Sequence, residues 1–330
     1  MKLSLCMIVK NEEWWLERCL DGVRGVVDEV VIVDTGSTDR TLEIAAAYHP
    51  AVLHHAWQDD FALARNAGLE RATGDWILVL DADEELEAES KGRIKGTISS
   101  ASADGLLLCV RSLMPPGELQ THEDLMITRL FRNRPEYRYE QRIHEQISPS
   151  IERHGGTVAS TDLVIIHHGY AQKSAQGRDL RAERNLRLLE KALAASPNDP
   201  YLHYQLGITQ KALGHNPTAY ASLRRVLELG TGTLGGETVD RLYMKLAQLA
   251  LASDGFADAA RYATASLAHN PANVVSLHVL ALAHMFQGDV RQAYPLFLRL
   301  RESPDTNPAS LKELDAVITY CRAALSGTPS

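Results

Sequence analysis

The sequence has few cysteines and no long hydrophobic run, and each absence excludes a class of protein. Its four cysteines, Cys6, Cys19, Cys109 and Cys321, form no CxxC pair and lack zinc-like spacing. We therefore expect reduced, structural thiols rather than a disulfide framework. No apolar stretch approaches the ~18 residues of a membrane-spanning helix. The apolar start of the chain is too short for a signal peptide. These features predict a cytoplasmic protein without a membrane span.

The sequence also has fewer basic than acidic residues. The 330 residues include 34 Lys and Arg against 42 Asp and Glu, which gives a net charge of −8. Nucleic-acid-binding proteins usually have a basic surface, so this balance argues against nucleic acid as the main partner. Five arginines lie between residues 129 and 142 (129, 132, 134, 138 and 142), but no aromatic stacking pattern accompanies them. Contacts to phosphate or to an acceptor are the preferred interpretation.

The length of the chain predicts two domains, and its two halves have different patterns. In the first half, apolar strands alternate with helices, which is typical of a parallel sheet covered by helices on both faces. From about Arg178 onward the pattern is helical only. The predicted strands cover residues 3–9, 29–33, 51–54 and 76–80, and further strands at 105–111, 126–132 and 162–167 complete a mixed sheet.

The helical half contains a repeat. Ala219, Ala259 and Ala293 begin matching helices, and the last two are 34 residues apart. A 34-residue period with small residues at the helix crossing, alanine in the middle and proline near the end resembles the tetratricopeptide repeat. An unrelated helical bundle is the alternative. We expect a first domain at residues 1–175, and a helical linker with about three repeats at residues 176–330.

Acidic side chains follow two of the predicted parallel strands. Asp34 ends the second strand, and Asp81 and Asp83 follow the fourth with one alanine between them. Open α/β sheets place ligand groups at the carboxyl ends of their strands. Mg²⁺ and Mn²⁺ take one or two carboxylates together with substrate phosphate oxygens. The pattern predicts a metal-bridged diphosphate substrate, while an acidic helix start after Asp81 is the alternative.

Four stretches in this order resemble the family 2 glycosyltransferases of GT-A fold. They are Met7–Glu12, Val31–Thr41, Asp60–Asn66 and Gly74–Asp83. The likeness is dense over about the first 85 residues and looser over the next 85. It implies a GT-A, Rossmann-like α/β domain that binds a nucleotide sugar, followed here by the all-α repeat region.

The resemblance also implies roles for individual residues at the strand ends. A Mg²⁺ or Mn²⁺ ion would bind Asp83 beneath the diphosphate of the donor. The donor-binding residues would be Asp34 and Arg65 at the nucleobase, Asp81 at the ribose, and Lys10 and Glu12 at the same rim.

Inverting transfer also needs a base that takes the proton of the acceptor. We favour Glu145, with His144 orienting it or contacting phosphate, because these two residues resemble a His-Glu element of relatives with a tetratricopeptide tail. The pair at 123–124, Glu-Asp, is the alternative base. His167 is the expected further metal ligand, since relatives carry a His-x-Gly-Tyr element, and His168 is the alternative.

The expected function is a metal-dependent inverting glycosyltransferase. It would move a hexose or N-acetylhexosamine from a nucleotide sugar, expected to be a UDP-sugar, to a Cys or Ser/Thr side chain of a peptide. The architecture resembles peptide S-glycosyltransferases that modify bacteriocins. The repeats would bind the peptide or protein acceptor, or mediate homodimerisation. A surface polysaccharide or lipid-linked glycan is the alternative acceptor, and a non-catalytic adaptor is the alternative class.

Overall fold

The structure, a computed structural model, describes residues 1–114, 122–168 and 175–326, the side chains of 175–179 excepted. These residues form two compact units. The first contains Met1–Leu113 and residues 122–168, and the second contains residues 175–326. The first is an α/β unit and the second is helical, which confirms the predicted fold class. In the described part of the chain, no helix is long and apolar enough to cross a membrane.

The first unit is built on one mixed sheet. Its described strands are β1 (Leu3–Val9), β2 (Glu29–Asp34), β3 (Ala51–His54), β4 (Trp76–Val79), β5 (Glu84–Leu86), β6 (Gly105–Leu113), β7 (His122–Arg132) and β8 (Val158–His167). They lie in the order β3-β2-β1-β4-β7-β6-β8-β5. The strands β1 to β4 are parallel, and β7 joins β4 in the antiparallel direction. Among the described residues of this unit, five helices accompany the sheet: α1 (Leu16–Val23), α2 (Thr41–Ala46), α3 (Phe61–Arg71), α4 (Ala88–Ser100) and α5 (Ser148–Arg153).

The central strands are apolar because both of their faces are covered. Alternate residues of a strand point to opposite faces of the sheet. Leu5 and Leu78 accordingly belong to one hydrophobic cluster, and Cys6 and Ile77 to another. A strand buried on both faces reads as a continuous apolar run, as β1 and β4 do. The polar residues that follow such strands are therefore forced to the edge of the sheet.

Burial also explains why the cysteines have a structural role. All four are described as thiols outside disulfide bonds, and Cys6, Cys19 and Cys321 are buried. Burial raises the pKa of the Cys6 thiol to about 12, and it also raises the pKa of Cys19 and Cys321. Thiols held in the protonated form react slowly, because the thiolate is the nucleophile. These three cysteines therefore serve as small core side chains, as the sequence predicted.

The structure shows where two helices of this unit begin. Helix α2 begins at Thr41, whose N–H donates to Asp39 at 3.0 Å. An acidic helix start was the alternative for residues 81–85. The short strand β5 follows Asp83 instead, and α4 begins at Ala88. Strand β5 forms because it pairs with the end of β8.

The second unit consists of paired helices. They are α6 (Ala175–Ala195), α7 (Pro200–Ala212), α8 (Asn216–Leu229), α9 (Gly236–Ala252), α10 (Phe256–His269), α11 (Val274–Phe286), α12 (Val290–Glu302) and α13 (Leu311–Ser326). The pairs α7/α8, α9/α10 and α11/α12 are the three predicted repeats. The three alanines that indicated the repeat in the sequence are fully buried in α8, α10 and α12; they are Ala219, Ala259 and Ala293. A Cβ at Gly207 would lie 2.5 Å from Cγ of Leu223, so the first crossing requires glycine.

Candidate functional site

The loops after β1 and β2 are tied together at the carboxyl edge of the sheet. Asn11, in a left-handed conformation with φ 56°, donates its N–H to Oγ of Ser37 at 3.1 Å. Its side-chain oxygen accepts the N–H of Thr38 at 2.8 Å. The N–H of Glu12 donates to Oγ1 of Thr41 at 2.7 Å, and Lys10 is exposed at the end of β1. Two of the sequence motifs thus form one rim.

Asp34 is buried at the end of β2, with 4% of its surface exposed. It accepts the N–H groups of Ser37 at 3.0 Å and Gly36 at 3.3 Å, and Nδ1 of His54 lies 3.5 Å away. Burial alone would raise the pKa of Asp34, but these hydrogen bonds outweigh it and lower the pKa. A carboxylate that stays charged is a hydrogen-bond acceptor only. Asp34 therefore suits an N–H group of a ligand.

Arg65 joins two other predicted site residues. Its Nη2 donates to Oδ1 of Asp81 at 2.9 Å, and its Nε donates to Oε1 of Glu145 at 2.5 Å. The guanidinium also lies over the ring of Tyr139, 5.5 Å from the centroid. The side chains of Arg65 and Glu145 are 9% and 10% exposed. The structure thus places residues that are up to 80 positions apart in one buried ion-pair chain.

The segment that carries Glu145 docks on α3. The side chain of Asn66 accepts the N–H of Tyr139 at 2.8 Å and donates to its carbonyl at 3.0 Å. The N–H of Phe61 donates to the carbonyl of Arg142 at 2.8 Å. These bonds use the motif of residues 60–66 as a platform. They explain how Glu145 reaches a strand-end site from so far along the chain.

Sequence reasoning missed Arg129 and Glu84. Nη2 of Arg129 donates to Oδ2 of Asp81 at 3.0 Å and to Oε1 of Glu84 at 2.6 Å. The other oxygen of Glu84 accepts the N–H of Asp81 at 2.8 Å. The sequence did contain an indication of both residues, since Arg129 belongs to the arginine cluster and Glu84 follows the aspartate pair. Only the pairing of β7 beside β4 shows that they meet.

The two carboxylates of this cluster are held in different electrostatic environments. Burial would raise the pKa of Asp81, but the guanidinium groups of Arg129 and Arg65 outweigh it and hold the pKa well below its usual range. Glu84 is only 3% exposed. Burial raises the pKa of Glu84 to about 7, against the opposing charge of Arg129. Asp81 is thus a firmly ionised group at the edge of the cluster.

Asp83 lies beside His167. Nε2 of His167 is 3.6 Å from Oδ2 of Asp83, because β5 pairs with β8 and brings Glu84 opposite His167. Nδ1 of His167 lies 3.1 Å from Oγ of Ser112. Metal-binding histidines are usually oriented by such a bond to the second ring nitrogen. The ring therefore presents Nε2 on the side of Asp83.

His168 lies in a different environment. Its ring stacks on Trp15 with centroids 5.6 Å apart, and its Nε2 is 3.4 Å from Oε2 of Glu85. Burial lowers the pKa of His168. Of the two adjacent histidines, His167 is the one that the structure brings to Asp83.

The pair of Asp83 and His167 fits a hard divalent cation that takes its remaining ligands from substrate. Among the described residues, no group of three or more His, Cys, Asp or Glu side chains could hold a metal by itself. Mg²⁺ and Mn²⁺ sites that act on phosphates commonly have few protein ligands and complete the shell with phosphate oxygens and water. Two ligands at a strand end match that type of site.

His144 is a neutral, mostly buried ring. It has a left-handed backbone with φ 54°, and burial lowers its pKa to about 4. In the part of the chain that the structure describes, its Nε2 has no hydrogen-bond partner. A neutral imidazole can donate or accept a hydrogen bond but brings no positive charge to a phosphate. Both predicted roles of His144 stay predictions.

The alternative base pair lies on a strand. Glu123 and Asp124 belong to β7, which begins four residues before the strand predicted at residues 126–132. Both oxygens of Asp124 are engaged by Arg111 on the neighbouring strand, at 2.9 and 2.8 Å. This bidentate pair links β6 to β7 across the sheet. Asp124 is therefore engaged in an ion pair between two neighbouring strands.

Comparison with known proteins assigns the first unit. Residues 4–156 match the model of the glycosyl transferase family 2, and residues 188–221 match that of a tetratricopeptide repeat. The first unit is a family 2 glycosyltransferase domain. The glycosyltransferase domain is followed by repeats, as the sequence predicted.

Several curated proteins are similar to this chain. A TPR repeat-containing protein of Synechococcus elongatus is 40% identical over 212 residues, which cover 62% of this chain and 51% of the relative. The prophage-derived glycosyltransferase SunS of Bacillus subtilis is 28% identical over 197 residues, 59% of this chain and 46% of the relative. The chain thus spans about half the length of these curated relatives.

Solved structures give weaker likenesses. Staphylococcus aureus TarS 1-349 in complex with UDP-GlcNAc has a TM-score of 0.43 and 15% identity, covering 87% of this chain and 92% of that one. The TPR protein YrrB, described with an unusual peptide-binding site, has a TM-score of 0.39 and 15% identity, covering 44% of this chain and 71% of that one.

Proposed function

We propose that this protein is a metal-dependent inverting glycosyltransferase that transfers a sugar from a nucleotide sugar to a peptide or protein side chain. The observation that supports it most is the contrast between the two aspartates of one motif. Asp81 is bound by two guanidinium groups, whereas Asp83 lies beside an imidazole. The environment of Asp81 suits a neutral ligand group, and that of Asp83 suits a cation. A site for a metal-bound nucleotide would use Asp81 for the nucleotide and Asp83 for the metal.

The metal would bind Asp83 and His167. When bound, a divalent ion neutralises the charge of a departing nucleoside diphosphate. Ser112 would keep the His167 ring oriented. We favour Mg²⁺ or Mn²⁺, because a carboxylate with phosphate oxygens is their preferred ligand set.

Asp34 and Arg65 would read the nucleobase. Asp34 offers only acceptors and Arg65 offers only donors. Uracil presents an N–H and a carbonyl on one edge, which complements such a pair, so we propose a UDP-sugar as donor. Guanine presents a similar edge and is the competing base. Lys10 and Glu12, on the adjoining loop, would complete the donor-binding rim.

Glu145 would act as the base. One of its oxygens binds Arg65, which fixes the carboxylate beside the donor site, and the other would accept the proton of the acceptor. His144 would hold this segment in place. We expect Glu145→Gln to lower kcat by about 10²–10⁴-fold while donor affinity changes little, because the amide keeps the shape and the contact to Arg65. Steady-state kinetics measure both quantities, and a variant with full turnover would exclude Glu145 as base.

The repeats would bind the acceptor. Tetratricopeptide arrays form a concave surface suited to extended peptides, and three helix pairs are described here. We therefore propose a peptide acceptor modified on Cys or Ser/Thr, with cytoplasmic action. Homodimerisation through the repeats is the second use of that surface. A non-catalytic adaptor is disfavoured, because a protein that binds no donor has no chemical need for the pair of Asp83 and His167 at this edge of the sheet.

Mass spectrometry can test this acceptor class. Candidate peptides encoded near the gene would be incubated with Mn²⁺ and a panel of nucleotide sugars, and a mass increase of one hexose or N-acetylhexosamine is expected on one peptide. Alkylation of the cysteines beforehand distinguishes S-linkage from O-linkage. Transfer to a polysaccharide or lipid-linked glycan extract, with none to any peptide, would support the alternative acceptor.

A further inference from the structure

We propose that Arg129, held by Glu84, is a positioning residue that fixes the Asp81 carboxylate so that it receives the ribose hydroxyls of the donor. This inference rests on the proposed function, in which a nucleoside diphosphate binds at the carboxyl edge of the sheet. Arg129 would not touch the donor. It would act through Asp81, and its effect should appear only with ligands that carry those hydroxyls.

The contacts form a closed ring. Arg129 donates to Oδ2 of Asp81 and to Oε1 of Glu84, and Oε2 of Glu84 accepts the main-chain N–H of Asp81. The carboxylate and the backbone of one residue are thereby held by a single pair of partners. Arg65 donates to Oδ1 of Asp81. Each oxygen of Asp81 thus carries one guanidinium bond, which leaves the side chain little freedom to rotate.

Burial shows which member of the ring faces a ligand. The side chains of Arg129 and Glu84 are 10% and 2% exposed, whereas that of Asp81 is 37% exposed. Glu84 lies on β5 and Arg129 on β7, while Asp81 follows β4. The cluster therefore presents one carboxylate edge to solvent, and its cationic partners lie behind that edge.

The chemistry of this edge selects the ligand group. An ionised carboxylate accepts hydrogen bonds and donates none. Two guanidinium groups within 3.0 Å of its oxygens oppose the approach of a further cation. A neutral donor such as a hydroxyl meets no such opposition. The ring thus assigns Asp81 to hydroxyl groups and leaves the metal to Asp83.

Lysine cannot replace Arg129 in this role. The guanidinium is a rigid fork, and one Nη2 serves both carboxylates here, whereas an ammonium is a compact point charge on a flexible stem. Arg129→Lys should keep the charge but lose the orientation. Arg132→Lys is the matched control, since Arg132 lies on the same strand but interacts with Asp104 and the ring of Trp76.

Calorimetric titrations with UDP and with 2′,3′-dideoxyuridine diphosphate, both in Mn²⁺, test the proposal. A hydrogen bond to a charged group predicts about tenfold or stronger preference of the wild type for UDP. Arg129→Lys should remove most of this preference by weakening UDP alone, and Arg132→Lys should retain it. Glu84→Gln provides a second variant that should also lose the preference.

The outcomes separate the two proposals. Equal weakening of both ligands in Arg129→Lys and in Glu84→Gln, with the preference intact, would overturn the positioning role and leave the proposed function standing. If the wild type binds UDP and the dideoxy analogue equally well, the positioning role is likewise overturned and the proposed function stands. A wild type that binds neither ligand, nor any other common nucleoside diphosphate with Mn²⁺ or Mg²⁺, would overturn both proposals together.

Discussion

Replacement of Asp83 by alanine is expected to lower the rate of sugar transfer by about 10³-fold or more. The carboxylate lies beside His167 and would supply the charged ligand of the divalent ion. Without it, the ion that neutralises the leaving diphosphate is held by one imidazole. Metal assistance contributes several kcal/mol to such a transition state, and each 1.4 kcal/mol is about tenfold in rate. Initial rates of transfer at saturating donor would show the loss.

Glu85→Gln is the control for this experiment. Glu85 lies in the same acidic run, but its carboxylate binds Arg18 at 2.8 Å and lies 3.8 Å from Lys91. The Glu85→Gln variant should therefore transfer sugar at nearly the wild-type rate. If Asp83→Ala retained both its rate and its dependence on Mn²⁺, the assignment of Asp83 to the metal would be wrong.

Replacement of Arg65 by alanine is expected to lower the free energy of unfolding by about 3–5 kcal/mol. The side chain is buried between Asp81 and Glu145. Its loss leaves Glu145 a buried carboxylate without its guanidinium partner, while Asp81 retains Arg129. Removal of one partner of a buried ion pair is costly because the other charge stays desolvated. Urea unfolding followed by circular dichroism measures the change.

A double-mutant cycle separates the ion pair from packing. If the unpaired charge causes the loss, Arg65→Ala with Glu145→Ala should be more stable than the sum of the two single changes predicts. Arg40→Ala is a surface control, because its pair with Glu43 is exposed and such pairs contribute little. Strictly additive losses at Arg65 and Glu145 would show that their contact carries no coupling.

The parallel half of the sheet could be predicted because its signal is local. Strands β1 and β4 are buried on both faces, so their apolar runs are unbroken. Once the ends of β2 and β4 are located, Asp34, Asp81 and Asp83 can be assigned to the carboxyl edge of the sheet. The antiparallel half was harder. Strand β5 is three residues long and acidic, and it forms only because β8 pairs with it.

The aspartates and Arg65 of the candidate site could be predicted from the sequence, but Arg129 and Glu84 could not. The sequence showed Arg129 as one of five clustered arginines, and no spacing rule distinguishes it from Arg132 or Arg138. Its role depends on β7 lying beside β4, a pairing between segments about 50 residues apart. The contact of Arg65 with Glu145 is likewise set by the docking of a loop on α3. Long-range pairing of this kind leaves no periodic signal in the sequence.

Binding of UDP to the full chain, measured by calorimetry with Mn²⁺ and again after chelation, tests the central claim most directly. The claim is that the carboxyl edge of the sheet holds a metal-bound nucleoside diphosphate. We predict binding with one site per chain in Mn²⁺, at least about tenfold weaker binding after chelation, and no effect of Mn²⁺ in Asp83→Ala. Failure of UDP and of the other common nucleoside diphosphates to bind with either Mn²⁺ or Mg²⁺ would contradict the claim.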